Sequence, residues 1–246
     1  MNVTVRFGGI LALNKVSFDV PRGGVFGLIG PNGAGKTTLF NCLSRLYRYS
    51  EGDIRFNGQS ITRMPPHAMP ALGIARTFQN LAMFRTMSVV ENVMEGAHCR
   101  SRAGFIAGAL RLPWVVAEEE RLRARAEEIV RYLDLWPTRD RKVGDLPFGI
   151  QKRVEIGRAL AADPQMILLD EPAAGLNHEE VEHLKNLICD IRDRIGVTIL
   201  LVEHHMGLVM AVSNRIATLN FGAKIAEGTP EEIQNDGAVI AAYLGG

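Results

Sequence analysis

Residues 30–38 read GPNGAGKTT, and residues 166–172 read MILLDEP. The first stretch fits the pattern G-x-x-x-x-G-K-[ST] at Gly30, Gly35, Lys36 and Thr37. Glycines at 30, 33 and 35 let the backbone turn tightly enough for several N–H groups to face one phosphate. Pro31, Asn32, Ala34 and Thr38 complete that loop. Lys36 is spaced to reach the β- and γ-phosphates of a nucleoside triphosphate, and Thr37 to set its hydroxyl on Mg2+. The second stretch is an apolar run that ends in two adjacent carboxylates. Asp170 can hold a metal directly or through water. Glu171 is the candidate general base for an attacking water. A phosphate cradle, a metal anchor and a base are what hydrolysis of a triphosphate requires.

These groups work only if strands and helices hold them. Val25–Ile29 is a short apolar run before the loop and is expected as a buried strand; Leu39, Leu43 and Leu46 follow it at helical spacing. Strand, loop and helix are the context the glycine pattern needs. Met166–Leu169 and Val197–Val202 are two further expected strands. Between them Val181, Leu184, Leu187, Ile188, Ile191 and Ile195 form one helical face. Asn177 and Glu180 can cap that helix at its start, and Gly196 can end it. Alternating strands and helices imply an α/β core with a mostly parallel sheet. Ile216–Asn220 and Lys224–Glu227 flank Phe221-Gly222-Ala223 as a hairpin. From about Ser88 to Ala162 the chain carries helical patterning and little strand signal. Residues 81–161 are expected as a helical subdomain inserted between the core segments 1–80 and 162–246, with a solvated glutamate face around Glu118.

Composition narrows the partners. The chain has 246 residues, 47% of them hydrophobic and 22% charged, with a net charge of +1. That balance gives no electrostatic footprint for nucleic acid or anionic lipid. Cys42, Cys99 and Cys189 lie far apart, which argues against a zinc site or a disulfide framework and fits a reducing cytosol. No signal-peptide pattern opens the chain. The best membrane-span candidate, Ala103–Ala117, is broken by Arg111 and Pro113 and falls short of about 18 uninterrupted apolar residues.

Taken together, the motifs resemble the ATP-binding subunits of ABC transporters over nearly the whole chain. Gln79, in RTFQN, sits where that family has its Q-loop glutamine. LPFGIQKRVEIGRAL at 146–160 sits at the signature sequence, AGLN at 174–177 at the D-loop, and His204 in LLVEHHM at the switch histidine. Phe7 lies where the family stacks an aromatic ring on adenine. RFGGILALN, FQNLAMFRTMSVVENVMEG and the closing AAYLGG are similar to one branch, the ATPases of branched-chain amino-acid importers, with importers of amides and urea close by.

The resemblance implies a P-loop NTPase fold with a β-rich edge. It implies ATP hydrolysis with Mg2+, which involves Thr37, Gln79 and Asp170. It implies that Glu171, Lys36 and His204 carry catalysis. It also implies nucleotide contacts from Phe7, Gln79 and residues 30–38, with Gly149 and Asn177 contributed across a dimer. The implied partners are a second ATP-binding subunit (a different chain or a second copy), transmembrane permease subunits and, indirectly, a solute-binding protein. The implied place is the cytoplasmic face of the inner or plasma membrane. Leu81–Phe84 is the candidate contact to the permease.

Two motifs depart from the family. Its signature is usually LSGGQ; here it is Leu146-Pro147-Phe148-Gly149-Ile150. Pro147 supplies neither a hydroxyl nor an N–H. Asn177 replaces the usual D-loop aspartate and keeps hydrogen-bonding capacity without the charge. The rival readings are a soluble ATP-gated clamp and a phosphoryl-transfer kinase. The first lacks a coiled coil or second cassette here, and the second leaves the signature region, D-loop and His204 unexplained.

Overall fold

The computed structural model describes residues 2–77, 83–100 and 112–244. In chain order these give β1 (Val3–Phe7), β2 (Ile10–Val16), β3 (Val25–Ile29), α1 (Lys36–Leu43), β4 (Arg55–Phe56) and β5 (Gln59–Ser60). Then follow α2 (Met69–Leu72), β6 (Ile74–Arg76), α3 (Val89–Gly96), α4 (Pro113–Tyr132) and α5 (Phe148–Ala161). Last come β7 (Met166–Asp170), α6 (His178–Asp190), β8 (Thr198–Val202), α7 (Met206–Val212), β9 (Arg215–Asn220), β10 (Ala223–Gly228), α8 (Pro230–Gln234) and α9 (Gly237–Leu244). Two compact units result, Met1–Met69 with Gln165–Gly246, and Pro70–Pro164.

In the first unit the strand order runs β10-β9-β3-β8-β7. Pairing is parallel from β9 through β7, and only β10 runs antiparallel, closing the hairpin with β9. Every residue of β3 and β8 is buried, as expected of parallel strands whose unbroken apolar runs face cover on both sides. α6 begins at Asn177, whose side chain accepts from the Glu180 amide while Glu180 accepts from the Asn177 amide. This reciprocal cap follows from the sequence. At its other end the helix widens into a π-turn over Ile191–Ile195 before Gly196 takes the left-handed conformation. The wider turn rotates Ile195 off the apolar face, leaving it 43% exposed. Leu46 also misses the face expected for it. Helix α1 stops at Leu43, Arg45 is left-handed, and Leu46 is exposed beyond the cap.

Among its described residues the second unit is helical apart from β6 and an isolated bridge between Ser88 and Lys142. Helix α3 opens with a Ser88–Glu91 capping box. It approaches α5 so closely that a Cβ on Gly96 would lie 1.9 Å from the Arg158 carbonyl oxygen, so only glycine fits there. Fully buried Asn92 holds the loop before α3. Its Oδ1 accepts from the Phe84 amide, and its Nδ2 donates to the carbonyls of Phe84 and Ser88, all at 3.0 Å. The guanidinium groups of Arg131 and Arg139 both lie over the Trp136 ring, 3.7 and 4.4 Å from its centroid. Glu118 is buried, while Glu119 and Glu120 are exposed. The face around it is therefore not uniformly solvated. No helix among the described residues is long and apolar enough to cross a membrane. Most of Ala103–Ala117 lies outside those residues.

Candidate functional site

The parallel register gathers the chemistry at one end of the sheet. Asp170 pairs with Val202, and Leu28 pairs with the same Val202 from the other side. The segments that leave β3, β7 and β8 therefore emerge side by side. Carboxyl ends of parallel strands are where such folds place ligand sites.

From β3 the chain enters the phosphate loop. Gly30, Gly33 and Gly35 have φ of 146°, 78° and 102°. At Gly30 a Cβ would sit 2.1 Å from the Leu219 carbonyl oxygen, so both the conformation and the space demand glycine. Gly35 precedes α1 in the left-handed conformation with no side-chain cap. The first-turn amides of α1 are thus not used by a capping side chain, and they can take phosphate oxygens. Lys36 is buried and folds back on the loop, donating to the carbonyls of Gly30 at 2.6 Å and Pro31 at 2.9 Å. Burial lowers its pKa below 10.5, and the charge of Glu171 partly opposes the shift. The Gly30 amide donates to the Tyr243 hydroxyl at 2.9 Å, so this residue is held through both its N–H and its carbonyl.

From β7 and β8 come the carboxylates and the histidines. Asp170 is buried at the strand end. Glu171 is left-handed at φ 48°, its amide donating to the Val202 carbonyl at 2.8 Å. Its Oε1 lies 3.1 Å from His204 Nε2. Glu203, directly after β8, is 3% exposed. One of its oxygens accepts from the Ala173 amide at 2.6 Å; the other accepts from the amides of His204 and His205 at 2.7 and 3.0 Å. A single carboxylate therefore ties the loop that carries Glu171 to the loop that carries His204. His205 caps α7 through Nδ1, which accepts from the Leu208 amide at 3.1 Å. It thereby has a structural hydrogen bond of its own.

A cleft of about 410 Å3 joins these parts. Asn32 through Thr38, Glu171 and His204 line it, and residues from β2 and from the β9–β10 turn complete its wall. Gly30, Pro31 and Asp170 support the cleft without lining it. Asn177 is also outside the lining, its side chain spent on the cap of α6. Phe7 is outside it too. Its ring meets Tyr47 edge-on at 5.3 Å, although its backbone pairs with the lining residue Ile10 across the β1–β2 hairpin. Gly149 belongs to the second unit, in the first turn of α5 behind Pro147. Gln79, Leu81 and Ala82 lie outside the described residues. Cys42 is buried, which pushes its thiol up to about 11, the inert packing role expected of a cysteine on this helix.

The sequence reading had not singled out Glu203, Tyr243 or Phe221 as site residues. Glu203 had a local signal, a carboxylate directly after an all-apolar strand. Tyr243 had none, since it reaches Gly30 across most of the chain.

Comparison with known proteins places the chain among relatives along nearly its whole length. Residues 13–174 match the family model for the ABC transporter, and residues 223–246 match that for the branched-chain amino acid ATP-binding cassette transporter. The high-affinity branched-chain amino acid transport ATP-binding protein BraF of Pseudomonas aeruginosa is 43% identical over 99% of this chain and 95% of its own. The counterpart LivG of Escherichia coli is 41% identical over 98% of this chain and 94% of its own. A crystal structure of the ADP conformation of an ATP-binding cassette of an ABC transporter superposes with a TM-score of 0.86 at 34% identity, covering 100% of this chain and 97% of that one. A dimeric post-hydrolysis cassette bound to ADP and Pi gives 0.77 at 25% identity, covering 93% of this chain and 97% of that one. With a family model matched over most of its length and relatives above 40% identity end to end, this chain belongs to the ABC transporter family, as one of its ATP-binding cassettes.

Proposed function

We propose that this chain is the ATP-hydrolysing subunit of a membrane importer whose solutes are branched-chain amino acids. The observation that carries the hydrolytic reading is the Glu171–His204 pair, 3.1 Å apart, lining the same cleft as the phosphate loop. The solute class is supported by the printed roles of BraF and LivG and by the match at residues 223–246.

The amides of the loop and of the first turn of α1 receive the phosphates of ATP. Lys36, whose ammonium rests on two loop carbonyls, turns to the β- and γ-phosphates. Thr37 and Asp170, with Gln79, would hold Mg2+; a hydroxyl and a buried strand-end carboxylate are oxygen donors that suit a hard cation that keeps most of its water. When bound, the ion supplies charge neutralisation at the phosphates. Glu171 takes the proton of the attacking water, and His204 turns its N–H from the Glu171 carboxylate to the γ-phosphate.

Two cassettes close head to tail, with Gly149 and Asn177 facing the nucleotide of the other subunit. Pro147 brings no hydroxyl and no N–H to that contact, which favours a different ATPase chain as partner and unequal sites. Phe84, 48% exposed on a loop pinned by Asn92, is suited to the permease surface. Its place is thus peripheral, on the cytoplasmic face of the membrane.

Tagged Glu171→Gln protein with ATP and Mg2+, captured from detergent-solubilised native membranes, tests the whole reading. Its hydrolysis is expected to fall at least about 100-fold while ATP stays bound. Mass spectrometry is expected to identify polytopic membrane chains and a second cassette. Turnover near wild type sinks the base assignment. Recovery of soluble chains alone sinks the transport role and moves the ATP-gated clamp ahead.

A further inference from the structure

The β9–β10 turn has two residues, Phe221 and Gly222, between the paired Asn220 and Ala223. Both are left-handed, with φ of 44° and 76°. Such a turn favours Asn or Gly at its first position and strains a bulky side chain. Phe221 is also 89% exposed, so the strain is not offset by burial. Neither folding nor solubility accounts for a phenyl ring there. What the ring does have is a fixed address. The Gly222 amide donates to the Ala34 carbonyl of the phosphate loop at 3.0 Å, and the Gly222 carbonyl accepts from the Asn14 amide at 2.8 Å. A Cβ on Gly222 would come within 2.6 Å of the Ala12 carbonyl oxygen. The turn is therefore pressed against both β2 and the loop, and Phe221 is held at the wall of the cleft beside Ile10 and Leu11. Those two are likewise exposed, Ile10 at 71%. One side of the cleft thus presents backbone amides and Lys36, and another presents three uncovered apolar side chains.

We infer that Phe221, with Ile10 and Leu11, forms the surface on which the purine base and ribose of the nucleotide pack while the triphosphate lies on the loop. A flat heterocycle suits an exposed phenyl face, and stacking of base on ring needs no specific hydrogen bond. The inference rests on the nucleotide-binding reading of this cleft. It adds a base-facing aromatic to the one the family resemblance implies at Phe7.

The test uses the full chain with Phe221→Asn, Phe221→Ala and Phe221→Trp, titrated calorimetrically with ATP and, separately, with inorganic tripolyphosphate, both with Mg2+. Phe221→Asn is the decisive variant, because asparagine suits the turn. Its ligand-free melting temperature is expected to equal or exceed that of the wild type, while its ATP affinity falls about 10-fold. Tripolyphosphate affinity is expected to stay unchanged in all three variants, and Phe221→Trp to keep ATP affinity. Unchanged ATP affinity in both Phe221→Asn and Phe221→Ala overturns the inference and leaves the ring free for a protein partner. Equal weakening of ATP and tripolyphosphate also overturns it, since the ring would then act through the shape of the loop. Failure of the wild type to bind either ligand overturns the nucleotide reading itself.

Discussion

At the phosphate loop the reactive surface is backbone: amides turned inward by three left-handed glycines, and a lysine parked on two carbonyls of the same loop. At the acidic end it is side chain: Glu171 against His204, both placed by Glu203, with donors drawn from two loops. The first is written in nine consecutive residues, because glycine spacing alone decides where amides can point. The second exists only once β7 and β8 pair in register. Backbone-built sites should therefore fail through steric insult to the loop. Side-chain-built sites should fail through lost acceptors, with the fold intact.

Gly30→Ala should give the largest effect. Its Cβ has no room beside Leu219, and a cost of about 3 kcal/mol or more is expected, read as a collapse of the urea midpoint and of ATP binding. Gly33→Ala sharpens the point. Gly33 is left-handed but has nothing within 4 Å of a Cβ, so it should cost only about 1 kcal/mol. Similar losses at the two positions would break the claim that close packing, not φ alone, shapes the loop.

Glu203→Gln tests the other end. An amide offers one acceptor oxygen where the carboxylate offers two, so at least one of three backbone amides loses its partner, at about 1–3 kcal/mol. The turnover number is expected to fall about 10-fold or more with KM for ATP little changed, because the phosphate loop is untouched. Loss of KM and kcat together would show that the two ends are not separable.

A smaller effect concerns pH. Burial lowers the Lys36 pKa, so the unfolded chain keeps that proton to higher pH than the folded one. Stability should therefore rise with pH in the window just below 10.5. Lys36→Met should flatten that rise, as measured by urea midpoints. An unchanged slope would place its ammonium in water.

The smallest effect is expected away from both ends, at Asp53. Hydrogen bonds from Ser60, then Thr62 and Arg55, hold its carboxyl at about 2 against 3.8. Its contribution is complete above 3.8 and fades as pH falls toward 2. Asp53→Asn should remove that acid-side slope and little else, since the group is solvated.

Most of the fold was legible because its signals are local. Apolar runs marked β3, β7 and β8, and S-x-x-E and N-x-x-E patterns stand at the caps of α3 and α6. The misses have physical causes. A π-turn, which no spacing rule anticipates, carries Ile195 out of the core. An early left-handed stop after α1 strands Leu46.

The sequence by itself determined the phosphate loop, the strand-end carboxylates and the family, because each depends on residues adjacent in the chain or on motif order. Only the tertiary structure decided that Glu203 binds two loops at once, that Tyr243 meets Gly30, and that Phe221 faces the cleft while the Phe7 ring turns to Tyr47. Those are contacts between residues tens to hundreds of positions apart. Their geometry is fixed by strand register and sheet order, which no local pattern encodes.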